Sequence, residues 1–312
     1  MNQGVSSKPM KQGVSEIQRQ KVLELRRSHS LREVAILTGL PLGTVKTLCH
    51  RSGAFKDNPR HRALFSLPAL QPQVETLLPS VPELPAQQSV TGDQELDAVL
   101  WLRSVIETGQ PTLIERALEG AKKINATPKD LEERYQRWLM NTQGNAFAAV
   151  LGSFGIADLE TLAQRSLERN QRTHEALSRF GSKALVFADT DAEAFCIQKL
   201  KGLKQGKRLL DYKTDAVNQR FTAARDYSPH TLGDCLHELA YWRDLYSLRH
   251  AVEPYCGDSL PQAYARETWV FSQLALIKPR TKAEAKAVLH YLFDSDRRDW
   301  NEADAILENL IG

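Results

Sequence analysis

Thr44, Lys46, Thr47, His50 and Arg51 crowd into one short stretch of helical pattern, and Arg32 lies just upstream. Hydroxyl, ammonium, imidazole and guanidinium groups at this spacing line the outward side of a helix. Together they can hydrogen-bond base edges and phosphates in a DNA major groove. The surrounding residues supply a way to hold that face. Val34 and Ala35 close a first short helix, with Ala35 small because a second helix crosses close over it. Gly39 follows four residues later, where a sharp turn favours a residue that tolerates positive φ. Leu40 plugs the core beneath the turn. Val45 and Leu48, three apart, form the buried stripe of the second helix.

Residues 30–51, and above all the run Gly39-Leu-Pro-Leu-Gly-Thr-Val-Lys46, resemble the helix-turn-helix of sigma-factor region 4 and of resolvase-type DNA-binding domains. The resemblance covers the N-terminal segment alone, and no family is recognised for the rest of the chain. One departure is Thr38, where such motifs carry an apolar residue; Leu37 is expected to fill that place. The resemblance implies a three-helix module that reads double-stranded DNA. An ordinary helical hairpin with a glycine turn is the competing interpretation of so short a motif.

The charge distribution agrees with the motif. The 312-residue chain has a net charge of only +3. Residues 1–66, however, hold twelve Lys and Arg against Glu16, Glu24, Glu33 and Asp57, so a net +8 sits with the motif and −5 is left for the remainder. A basic segment coinciding with a recognition helix is the electrostatic footprint of a phosphate-binding surface.

The other chemistry-bearing residues lead nowhere comparable. His237-Glu238 opens like a zinc-protease helix, but Tyr241 stands where the second histidine must be. Cys235 and His237 are two apart on a helix and point apart, so the looser set Cys235, His237, His250 and Cys256 reads as core thiols and ordinary histidines. Asp294–Asp299 lacks the sixth-position glycine of a calcium loop, and Arg297 and Arg298 repel a cation. Gly202–Lys207 is too short for a phosphate loop and follows no strand. The expectation is a binding protein, not an enzyme, with no cofactor and no metal.

The elements that carry the motif are helical throughout. Residues 1–14 read as a flexible basic arm and 15–66 as the DNA-binding domain, with a first helix from about Ser15 and Ala54, Phe55, Leu64 and Phe65 packing beneath it. Pro68, Pro72, Pro79, Pro82 and Pro85 break any helix across 67–93, which reads as an extended tether. Residues 94–312 read as a helical bundle or array, with helix starts at Thr127-Pro128, Thr190, Thr231 and Thr281. A short apolar segment covers 145–153, and one long helix runs from Ile156 to Phe180. Lys183–Asp189 is a candidate strand with nothing to pair with. Trp242, Leu245, Leu248, Trp269, Phe271, Leu274, Leu289, Leu292 and Ile306 are core candidates.

All five tryptophans lie beyond residue 93, in the acidic part of the chain, where packing is their natural role. The four cysteines form no CxxC pair, and no apolar run approaches the ~20 residues that span a bilayer. The N-terminal residues lack the apolar core of a signal peptide. The expected place of work is therefore the cytoplasm, at the nucleoid. The whole reads as an all-α, sequence-specific double-stranded DNA-binding protein, most simply a transcriptional regulator, that dimerises through 94–312 or recruits another protein there. A plasmid or mobile-element maintenance factor and a protein-binding scaffold are the alternatives.

Overall fold

Backbone polar groups must be satisfied somewhere, and in this chain they are satisfied within helices. The computed structural model describes residues 14–26, 29–52, 55–71, 83–205 and 212–311. Among these residues there is no strand, only an isolated bridge between Gln205 and Tyr212. Residues 1–13 of the expected 1–14 arm, the middle of the expected tether (72–82), Arg27 and Ala54 lie outside the described residues.

The chain divides into two units. The first comprises residues 1–66, 189–243 and 259–312; the second comprises 67–188 and 244–258.

The first unit opens with α1 (Glu16–Leu25), α2 (Leu31–Thr38) and α3 (Leu42–Ser52). Ser15 and Ser30 start α1 and α2 as reciprocal capping boxes, with Gln18 and Glu33 as their third-position partners. Gly39 ends α2 in the left-handed region at φ 66°, which the tight entry into α3 requires. The three helices close on Val22, Val34 and Val45, with Leu25, Leu31, Ala35, Leu40, Leu48 and Cys49 packed around them. The expected filler, Leu37, is exposed; Thr38 itself is half-buried and donates its hydroxyl to the Val34 carbonyl at 2.6 Å. A hydroxyl satisfied within its own helix can occupy an apolar position without a desolvation penalty.

α4 (Pro59–Leu64) belongs elsewhere than expected. Phe65 does not pack beneath the first three helices. It is fully buried against Phe195, Tyr241 and Trp242, which come from later helices. Phe55 does stay near α1, with the Arg26 guanidinium 6.0 Å from its ring. The remainder of the unit is α11 (Asp191–Leu200), α12 (Thr214–Ala223), the first part of α13 (Leu232–Val252), α14 (Pro261–Gln273), α15 (Lys282–Asp294) and α16 (Ala303–Ile311). Leu289, an expected core residue, is 38% exposed, whereas Trp242, Trp269, Phe271, Leu274, Leu292 and Ile306 are buried.

The second unit holds α5 (Gln94–Glu107), α6 (Pro111–Ala121), α7 (Pro128–Gln143), α8 (Ala146–Ser153), α9 (Leu159–Phe180), α10 (Lys183–Val186) and the end of α13. Its main core gathers Val99, Leu102, Val105, Ile106, Ile114, Leu131 and Leu159. Gly109 ends α5 at φ 72° where a Cβ would come within 3.0 Å of Asn170, so only glycine lets α5 meet α9 there. The long helix begins at Leu159, not Ile156, because Asp158 caps it. Lys183–Val186 is helical and not a strand: the Ser182 hydroxyl accepts from the Leu185 amide, and no strand among the described residues offers a ladder.

The described ends of the Pro-rich segment are non-helical but docked. Gln71 exchanges hydrogen bonds with Ser178, Arg179 donates to the Pro68 carbonyl, and Trp101 donates to the Pro85 carbonyl at 2.7 Å.

Candidate nucleic-acid interface

α3 has two chemically distinct sides. Val45 is fully buried, and Leu48, Cys49 and Ser52 are half-buried on the same side. Lys46, Thr47, His50 and Arg51 are exposed on the other, and Thr44 is half-buried at its rim. At 100° per residue these positions form one continuous outward surface, with Lys46 and His50 one turn apart and Thr47 and Arg51 likewise. Thr47 spends its hydroxyl proton on the Gly43 carbonyl at 2.8 Å and keeps its lone pairs outward for a donor. Arg32, in the first turn of α2, is exposed. The last turn of α3 is basic through His50 and Arg51.

Glu33 is the acidic side chain nearest this surface in sequence. Its carboxylate is committed to the Ser30 amide at 2.6 Å, and that hydrogen bond holds its carboxyl below the usual range. The Cys49 thiol is pushed up by burial, so it stays protonated on the inner side of α3.

Gly43 was not among the residues singled out by type. It sits in the middle of the outward surface and is exposed, and a Cβ there would meet nothing within 4 Å. Internal packing therefore does not demand glycine at this position. Its signal in the sequence was a helix-disfavouring residue in the first turn of a helix.

A second polar concentration fastens α4 to the helices that follow. Asn58 caps α4 and donates its side-chain amide to the Asp226 and Ser228 carbonyls at 3.0 and 2.9 Å. The Asn58 and His230 amides both donate to the buried Asp234 carboxylate, which Arg62 also reaches at 2.7 Å. Asp57 accepts from Thr231 and pairs with Arg62 and Arg280. Burial pushes the Asp57 carboxyl up, but the Thr231 hydrogen bond and the two guanidinium groups outweigh it and leave it low.

Deeper still, Glu238 takes two hydrogen bonds from Arg266 at 2.7 and 2.8 Å, one from Trp242, and contacts His61 at 2.7 Å. Arg266 is fully buried, with Trp269, Phe221 and Phe65 rings 4.4, 4.9 and 5.0 Å from its guanidinium carbon. Burial alone would push the Glu238 carboxyl up; Arg266 and His61 together hold it below the usual carboxylate range. Each lone pair of Glu238 is thus committed to protein, and the residue that opened the protease-like run serves as a buried anchor. His237 instead faces the Arg62 carbonyl and the Ser66 hydroxyl. Cys196 and Cys235 are buried, and burial raises both thiols far above their ordinary value.

Among the described residues no group of three or more His, Cys, Asp or Glu is placed to hold a metal ion. No helix of the described residues is long and apolar enough to cross a membrane. Comparison of the chain with protein-family models, with curated proteins and with solved structures finds no match in any of the three.

Proposed function

We propose that residues 14–52 form a helix-turn-helix that reads double-stranded DNA through α3, and that the protein is a sequence-specific DNA-binding regulator of transcription. The observation that carries this reading is the division of α3: Val45 and Leu48 turn inward, while Lys46, Thr47, His50 and Arg51 stand exposed together. Lys46, Thr47 and His50 reach base edges from the centre of the surface. Thr44, Arg51 and Arg32 lie at its margins and hold flanking phosphates. Gly43 leaves the backbone bare at the centre of contact, where a side chain would keep α3 from the groove floor.

Selection from a random duplex pool with the full-length protein tests the reading. A recovered consensus is expected, with affinity falling steeply as salt rises, because each neutralised phosphate releases counterions. Absence of any duplex binding at ~50 mM salt overturns it, since electrostatic attraction alone gives measurable non-specific binding under those conditions.

A second reading has one observation in its favour. Ile36 is 80% exposed and Leu37 is exposed beside it on α2, so the three-helix module presents apolar surface away from α3. In that reading the module docks on a protein. Loss of DNA binding in Lys46 variants with Ile36 variants unaffected separates the first reading from the second.

A further inference from the structure

α8 is packed inside out. Its inward side is small: Ala149 and Ser153 are buried, and at the edge of that side the exposed Gly152 has Leu139 of α7 close enough that a Cβ would approach its side chain to 3.1 Å. Its large residues point away from the protein. Phe147 is 75% exposed, Val150 49%, Leu151 62% and Phe154, just past the helix end, 86%. The spacing i, i+3, i+4, i+7 makes them one stripe, and Met140 of α7, itself 41% exposed, adds to the exposed apolar surface. An ordinary surface helix buries such a stripe and exposes its small side.

We infer that this stripe is a self-association surface on which the α8 of a second copy of the chain packs antiparallel about a two-fold axis. Three observations favour a second copy. Residues 144–157 contain no charged side chain, so the surface offers no electrostatic handle for selecting a charged partner, whereas an apolar stripe is complementary to itself. The pattern is also nearly symmetric end to end: antiparallel pairing sets Phe147 against Phe154 at both ends and brings Val150 and Leu151 to the axis.

The area is sufficient as well. With aromatic side chains of ~200 Å², the two phenylalanines expose about 300 Å², and Val150, Leu151 and Met140 bring the patch to about 500–600 Å². Two copies together can then bury up to about 1,100 Å² from these side chains alone, which reaches the ~1,000 Å² lower threshold of a biological interface before any polar rim is counted. Interfacial membrane helices, by contrast, carry Lys and Arg beside the apolar face, and this segment has none.

The inference stands apart from the DNA reading, although a dimer would present two recognition helices to two half-sites. Sedimentation equilibrium of the full-length protein from 1 to 100 μM tests it, with Phe154→Asp and Leu151→Asp as variants and Phe147→Leu as a conservative control. Wild type and Phe147→Leu should dimerise. The two aspartate variants should raise the dimer dissociation constant at least ~100-fold, with circular dichroism unchanged because both positions are exposed, and with the Tm matching that of wild type at dilutions where wild type is itself monomeric, since dimerisation alone raises Tm. The same variants on a single half-site duplex report the DNA reading separately. A wild-type protein that is monomeric at 100 μM overturns the inference, as does a dimer that both aspartate variants leave intact. Sedimentation of a monomeric wild type with anionic phosphatidylcholine–phosphatidylserine vesicles would also overturn it and give the stripe to lipid.

Discussion

At the scale of single residues, the exposed side of α3 can be altered apart from the side that holds the fold. Lys46 is exposed on the outward side of α3, so Lys46→Ala should leave helicity and Tm unchanged. It should weaken duplex binding by about 1–3 kcal/mol if it reads a base, with relaxed preference at that position. Fluorescence anisotropy against the selected site and its single-base variants measures both effects. Gly43→Ala makes a sharper contrast. Space for the methyl exists and alanine favours the helix, so the variant should gain up to ~0.5–1 kcal/mol of stability while losing affinity. A substitution that stabilises the free protein and weakens only the complex marks a position kept for its partner; equal or improved binding would remove Gly43 from the interface.

At the scale of elements, α4 shows how a short helix of six residues holds its place. Too short to be stable alone, it is fixed by the Asn58 cap, by Asp234 and Asp57 on Arg62, and by His61 and Phe65 among the buried helices. Phe65→Ala should cost about 3–5 kcal/mol, as a deep aromatic deletion does. Glu238→Gln leaves the buried Arg266 charge uncompensated and should cost about 3–5 kcal/mol. The pH dependence follows from the low Glu238 carboxyl. Unfolding returns it towards 4.5, so the unfolded chain takes up the proton first. Its contribution is complete above that value and is lost as the pH falls through the lower folded value. Thermal melts from pH 6 to pH 3 should therefore decline more steeply for wild type than for Glu238→Gln.

At the scale of the whole molecule, the chain offers a built-in reporter of its organisation. All five tryptophans lie between residues 101 and 300, and none lies in α1–α3. The α1–α3 core rests on three fully buried valines. Val45→Asp places an unpaired charge among them, which no cluster of that size can absorb. The full-length variant should lose the α1–α3 share of its far-ultraviolet circular dichroism and all specific duplex binding. Its tryptophan emission maximum and the melting transition followed by tryptophan should stay as in wild type. A coincident loss of both signals would mean that α1–α3 and the tryptophan-bearing helices unfold as one.

Local signals carried much of this protein in the sequence itself. Gly39 in the left-handed region, the Val45–Leu48 stripe, the threonine caps at 127, 190, 231 and 281 and the helical character of the chain follow from rules acting over four residues or fewer, so they are legible without a fold. The outward side of α3 follows from the same periodicity. Long-range pairing decided the rest. Nothing near Phe65 says whether it packs on α1 or on Phe195, because both are apolar and only the closed core selects between them. The fate of Glu238 depended on Arg266, 28 residues away, and on His61, 177 away. The α8 segment read as plainly apolar, but which side of it faces inward was settled by its packing, which buries Ala149 and Ser153 and brings Leu139 of α7 up beside Gly152. Periodicity names the faces of a helix; only the neighbours packed against it determine which face is buried.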